Sequence, residues 1–151
     1  MKSQKGFTLV ELMVTLAIIG ILFATAVPVY HTWQQRARGS EVAIMVKQIM
    51  DAQIAYYLDN NKFYPQESGS KKIFHTTPED DQDISEIYQN IHVLINPGHF
   101  LNYVLTSDNN EYGKEFFQLI VTPQGNFEIF KDTNLVIYTL HSDGSITNEI
   151  L

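Results

Sequence analysis

From residue 12 to residue 30 the chain carries nineteen consecutive residues without a charge. At about 1.5 Å per residue that run makes a helix of roughly 28 Å, close to the hydrocarbon thickness of a bilayer. The apolar stretch begins at Phe7 and is interrupted only by Glu11, and a polar leader of residues 1–6 with Lys2 and Lys5 precedes it. The pattern predicts a membrane helix. A secretory signal peptide shares the basic-then-apolar order, but its cleavage site follows the apolar run, and it has no reason to carry a carboxylate near the start. An acid inside lipid is costly unless neutralised or paired, so Glu11 implies a partner that arrives after insertion.

The stretch Lys5-Gly6-Phe7-Thr8-Leu9-Val10-Glu11-Leu12-Met13-Val14 resembles the cleavage and methylation motif of type IV pilins and of the pseudopilins of type II secretion and competence systems. Gly20 and Pro28 fall where members of that family carry a helix-interrupting glycine and proline. The resemblance covers roughly the first third of the chain. It implies that a prepilin peptidase cuts between Gly6 and Phe7 and methylates the new amine of Phe7. It also implies that Glu11 neutralises the first-residue amine of a neighbouring subunit during assembly. A methylated secondary amine still protonates, so Phe7 would begin the helix with a cation that also needs a match in lipid. Two buried charges that are each costly alone become tolerable as a pair, which makes assembly selective. In an ordinary single-pass anchor, by contrast, Glu11 would snorkel to the headgroups.

Charge sets topology and partners. Lys2 and Lys5 favour a cytoplasmic N-terminus, which places the C-terminal domain outside the cytoplasm. Residues 31–151 hold 8 Lys and Arg against 16 Asp and Glu, a net of −8. Such a surface does not favour nucleic acid, and Arg36, Arg38, Lys47 and the pair Lys71-Lys72 read as solvated charges or contacts between subunits. The chain has no cysteine, so disulfides contribute nothing, unlike in the many pilins that staple a C-terminal loop.

Beyond Pro28 the helical pattern continues to about Asp59, with Val42, Met45, Val46, Ile49, Met50, Ala52, Tyr56 and Tyr57 forming one apolar stripe. The segment 20–28 is where such a helix bends or melts most readily, because Pro28 lacks a donor and Gly20 weakens the helix. By resemblance it would be extended in an assembled filament. Asn60 and Asn61 suit a helix end, and Phe63 and Tyr64 are expected to fold back on the stripe. Residues 66–83 read as a polar loop, followed by a short helix with Ile84, Ile87, Ile91 and Leu94 on one face. Runs 100–106, 116–122, 127–131 and 135–141 read as strands of an antiparallel meander, and 146–151 as a returning edge. Phe117, Leu119, Val121, Phe127 and Ile129 are expected to face the helix.

The expected fold is therefore α+β and pilin-like: a long N-terminal helix, half membrane and half globular, on a roughly four-stranded antiparallel sheet. The expected organisation is a cleaved leader, 1–6; a membrane or filament-core helix, 7–30; and a globular domain, 31–151. That domain divides into helix 31–59, variable loop 60–99 and sheet 100–151.

No catalytic constellation emerges, and the chain is read as a non-enzyme. His31, His75, His92, His99 and His141 lack the paired spacing of a zinc site. Neither a nucleophile-elbow glycine pattern nor a phosphate-binding glycine loop is present. No cofactor is expected. For structural calcium, the acidic run 79–83 and the turn Ser142-Asp143-Gly144 offer oxygens, but without the alternating acids and bidentate closing residue of a helix-loop-helix site. Both are read as solvated loops. The class implied is a subunit of a homo-oligomeric or mixed-pilin filament, with Gly6 and Phe7 for processing and Glu11, Gly20 and Pro28 for assembly. Two uses remain open within it: a surface pilus, or a periplasmic pseudopilus for secretion or competence. A monomeric membrane-anchored binding domain is the alternative outside it. Family resemblance also implies a prepilin peptidase, an inner-membrane platform and an ATPase.

Overall fold

A run of good helix formers, with no glycine after Gly39 until the chain reaches Asn60, sustains one helix, α1, over Leu9–Asn60. The computed structural model describes residues 6–66, 70–73, 78–95, 100–109, 112–123, 129 and 135–151. They fall into two compact units, one ending at Arg36 and the other Ala37–Leu151, and α1 contributes to both. Helix α1 ends where Asn61 turns left-handed at φ 54°, its N–H closing on the Tyr57 carbonyl at 2.8 Å. Asparagine tolerates this conformation, so the stop is encoded locally.

In the second unit, Val42, Val46, Ile49 and Met50 are buried, with Met45, Ala52, Tyr56 and Tyr57 packed at their edges. The remaining elements are β1 (Ser70–Ile73), α2 (Pro78–Ile91), β2 (Leu101–Asn109), β3 (Glu115–Pro123), β4 (Val136–His141) and β5 (Ile146–Ile150). The strands form one antiparallel sheet in the order β1-β2-β3-β4-β5, every neighbour in space being a neighbour in sequence. Leu105 pairs with Leu119, and Leu119 in turn with Tyr138. On β2 and β3 burial alternates: Leu101, Tyr103 and Leu105 point into the core, as do Phe117, Leu119 and Val121. This is the period of a sheet with one face covered. Each fully buried Ile or Leu contributes about 1.5–3 kcal/mol, so this face dominates the stability of the unit.

The architecture is α+β, with a long helix and an antiparallel sheet. Several details differ from the sequence expectation. The sheet has five strands rather than about four, because Ser70–Ile73 pairs with Tyr103–Thr106 inside the stretch read as loop. Helix α2 starts at Pro78, so the acidic run 79–83 lies in a helix rather than a loop. Proline presets φ for a first turn, and acids suit the positive end of a helix dipole. Ile84, Ile87 and Ile91 are buried, but Leu94 lies past the helix end and is exposed. His92, at φ 57°, closes α2 by donating its N–H to the Tyr88 carbonyl at 3.0 Å. Ile129 is buried, whereas Phe127 and the rest of the run 127–131 lie outside the described residues, as do His75 and His99.

Two contacts tie the layers. Gln53, fully buried, donates its Nε2 to the Tyr64 carbonyl at 2.8 Å, and its Oε1 accepts the Tyr64 N–H at 3.0 Å. This clasp lets Phe63 stack on Tyr57 at 4.6 Å and reach Phe117 on β3 at 6.2 Å between ring centroids. The Tyr64 hydroxyl in turn donates to Glu86 of α2 at 3.2 Å. Near the start of the unit, the Tyr103 hydroxyl donates to Glu41 at 3.2 Å, and the Arg38 guanidinium lies 4.7 Å from the Phe100 ring centroid.

Candidate functional site: the start of the long helix

Residues 6–8 precede the helix in a non-helical conformation, which leaves the Gly6–Phe7 peptide bond exposed. Thr8 is the cap. Its N–H donates to Glu11 Oε2 at 2.9 Å and its hydroxyl to the same oxygen at 2.7 Å, while the Glu11 N–H donates to the Thr8 hydroxyl oxygen at 3.2 Å. This is a reciprocal capping box, in which a threonine and a glutamate three residues on satisfy each other's backbone donors. Glu11 thus has a partner within its own chain. The signal for this cap in the sequence is Thr-x-x-Glu before an apolar run.

The rest of the segment is built for an apolar surrounding. Phe7, Leu9, Val10, Leu12, Met13, Leu16, Ile18, Ile21, Leu22 and Phe23 are all large and exposed. Its hydroxyls are satisfied internally: Thr15 donates to the Leu12 carbonyl at 2.8 Å, Thr25 to Leu22 at 3.0 Å and Thr32 to Pro28 at 3.1 Å. Internal satisfaction is what a helix in lipid requires. The helix is long and apolar enough to cross a membrane. Glu11 is the single ionisable side chain between Phe7 and Tyr30.

Of the five residues singled out from sequence, Gly6 and Phe7 precede α1 and Glu11, Gly20 and Pro28 lie along it, and they do not converge on a pocket. Segment 20–28 is helical in the isolated chain, with Pro28 inside the helix. One missing donor in 52 residues does not break so long a ladder, and the Thr32 hydroxyl supports the Pro28 carbonyl. A Cβ built on Gly20 meets nothing within 4 Å, so no contact within the chain demands glycine there. Among the described residues no group of three His, Asp or Glu side chains is placed to hold a metal ion. The turn at Asp143 is organised by hydrogen bonds. Its Oδ1 accepts the Ser145 hydroxyl at 2.6 Å and the Ser145 N–H at 2.9 Å, which hold its carboxyl below the usual carboxylate range.

An apolar, exposed helix with a capped acid near its start, in a chain that also holds an α+β unit, defines a class: proteins with a membrane-capable N-terminal helix. The prokaryotic N-terminal methylation motif matches residues 1–27. The chain is similar to the type IV major pilin protein PilE1 of Neisseria gonorrhoeae, 45% identical over 60 residues, which are 40% of this chain and 36% of that protein. It is also similar to the type IV major pilin protein PilA of Myxococcus xanthus, 39% identical over 60 residues, 40% of this chain and 27% of the relative. A fimbrial protein of Moraxella nonliquefaciens is 58% identical over 41 residues, 27% of each chain. The matched part thus spans about a third of the length of these relatives. No solved structure matches significantly. The N-terminal segment matches a prokaryotic methylation motif, and over it the chain is similar to type IV pilins.

Proposed function

We propose that this chain is a structural subunit of a type IV pilus-like helical filament. The reading is carried by one observation: a methylation motif that contains an acid, Glu11, lies on a helix whose large apolar side chains are exposed from Phe7 to Trp33. Such a surface needs a bilayer before assembly and copies of itself after it. A prepilin peptidase cuts between Gly6 and Phe7 and methylates the Phe7 amine. That amine then meets Glu11 of a neighbouring copy, while Gly20 and Pro28 let the helix adapt to close packing. The chain starts as a single-pass protein of the cytoplasmic membrane, its second unit outside the cytoplasm, and a membrane platform and ATPase drive its assembly. It performs no chemistry of its own.

The test is Glu11→Ala in the full chain. Membrane insertion is unchanged, because removing an acid from the span only favours lipid. Filaments released by shearing fall by at least about tenfold, as removal of one member of a buried charge pair costs about 3–5 kcal/mol. Normal filament yield from the variant would overturn the pairing of Glu11 with a neighbour's Phe7 amine, and the absence of any sheared filament from the unsubstituted chain would show a monomeric anchor instead.

A further inference from the structure

Strand β5 ends the sheet on one side and pairs only with β4. Leu135 and Leu151 exchange both backbone bonds, at 3.3 and 3.0 Å, and the His141 N–H donates to the Ser145 carbonyl at 2.9 Å. Bonding alternates along an antiparallel ladder, so Ser145, Thr147, Glu149 and Leu151 bond inward to β4, while the N–H and C=O groups of Ile146, Asn148 and Ile150 point outward. Every residue of β5 is exposed, and no strand among the described residues pairs with that edge. Ile146 and Ile150 stand opposite the buried Leu140 and Val136, on the core side of the sheet, yet they are 51% and 55% exposed. The opposite edge, β1, contacts α2 and carries Lys71 and Lys72, charges of the kind that discourage further pairing. Strand β5 holds neither proline nor lysine.

We propose that the free edge of β5 pairs antiparallel with β5 of a second copy of this chain, centred on Asn148. The run Ile146-Thr147-Asn148-Glu149-Ile150 is self-complementary in that register. Asn148 faces its own counterpart and Ile146 faces Ile150 in both directions, so every outward N–H and C=O of both edges is bonded. On the core side the isoleucines meet as apolar cross-strand pairs, and on the other face the Thr147 hydroxyl donates to the Glu149 carboxylate of the second copy. A register centred on Glu149 would set two carboxylates against each other, and one centred on Thr147 would leave Ile150 opposite the turn at Gly144. Charge and side-chain pattern thus select a second copy and fix its alignment. The contact is isologous and closes on a pair. Successive copies in one filament are related by a screw, which never sets an edge against itself. The pair therefore joins copies that are not successive in one filament, and the proposal goes beyond the filament reading without resting on it. Two short strands form a small contact beside the roughly 1,200–2,000 Å² of a stable specific interface, so pairing draws on the concentration of copies that a membrane-capable helix imposes.

The chain contains no cysteine, so introduced thiols report the register directly. One full-length copy carries Thr147→Cys, another carries Glu149→Cys, the two are expressed together, and isolated membranes are treated with a mild oxidant. Both positions are exposed, so the substitutions leave the core intact. Residues directly opposite at such positions lie about 4.5 Å apart between Cα atoms, within the roughly 4.4–6.8 Å that a disulfide spans, whereas each residue and its own counterpart lie on a diagonal of about 7–8 Å. The expected result is a disulfide-linked heterodimer at least about fivefold more abundant than the homodimer of either copy alone. Equal yields, or no heterodimer, overturn the pairing, whatever the yield of sheared filaments. As a second measurement, Asn148→Pro in both copies removes an outward N–H but no bond to β4, and lowers the heterodimer at least about fivefold. Asn148→Ala keeps that N–H and holds the yield within about twofold. A heterodimer that survives the proline overturns strand pairing as its cause.

Discussion

Gln53 sits on a helix face otherwise made of valine, isoleucine and methionine, and its amide repeats the donor-acceptor pairing that a strand would offer Tyr64. Replacing it with leucine keeps the volume but leaves the buried Tyr64 N–H and C=O unpaired. Gln53→Leu is expected to lower unfolding free energy by about 2–4 kcal/mol, read as a lower urea midpoint at unchanged slope. The sequence marked the stripe around Gln53 but not Gln53 itself, since a polar residue at an apolar phase reads as a gap until its partner is seen. Thr8 is hard to read for a related reason. The charge of Glu11 points to a distant partner, while a local one stands three residues away. Thr8→Val removes the cap and is expected to loosen the first turn by about 1 kcal/mol. Faster amide exchange at Leu9–Leu12 in lipid micelles, with exchange near Ile49 unchanged, is the corresponding signature.

Between elements, buried tyrosines couple the layers to pH. Tyr103 of β2 donates to Glu41 of α1, and Tyr64 donates to Glu86 of α2. Burial raises both phenols well above their ordinary value near 10, and the neighbouring carboxylates raise them further. Burial alone raises Tyr138. Below pH 10 both folded and unfolded states keep these protons, so the stabilisation is fully present. Above it the unfolded chain releases protons that the folded chain holds, and stability falls as pH rises towards the folded values. The expected slope is up to about 1.4 kcal/mol per pH unit for Tyr103, and smaller for Tyr64 and Tyr138, whose phenols are more open to solvent. In urea titrations between pH 8 and 11, Tyr103→Phe flattens the decline above pH 10, at the expense of the Glu41 contact at neutral pH. How legible each element was follows from its length and period. Helix α1 and strands β2 and β3 show long apolar patterns, and Ile84, Ile87 and Ile91 fixed the inner face of α2. Strand β1 is Ser-Lys-Lys-Ile, too short and polar to alternate, and it exists because β2 offers an edge. The start of α2 is hard to read because Pro78 followed by acids has the composition of a polar loop as well as that of a helix start.

At the scale of the whole molecule, the proposed function makes the first six residues decide what the chain becomes. On that proposal, while residues 1–6 remain, Lys2 and Lys5 favour a cytoplasmic N-terminus and no free amine exists at Phe7 to meet a neighbour's Glu11. Cleavage removes both lysines, taking the formal net charge from −7 to −9, and places the single free amine at the head of the apolar helix. On the proposed function the same cut would therefore remove a topological signal and create an assembly signal. Intact mass of the chain recovered from cells is expected to correspond to residues 7–151 plus one methyl group. In the sheared surface fraction this species signifies a pilus. Confined to the envelope, it signifies a periplasmic pseudopilus. Gly6→Leu, which places a bulky side chain at the cut, should leave residues 1–151 intact in the membrane with no filament. A sheared filament built from uncut chains would mean that the Phe7 amine plays no part in joining subunits. Glu11 would then act only as the partner of Thr8 within its own chain, and the contacts holding copies together would have to come from the apolar helix face and the second unit.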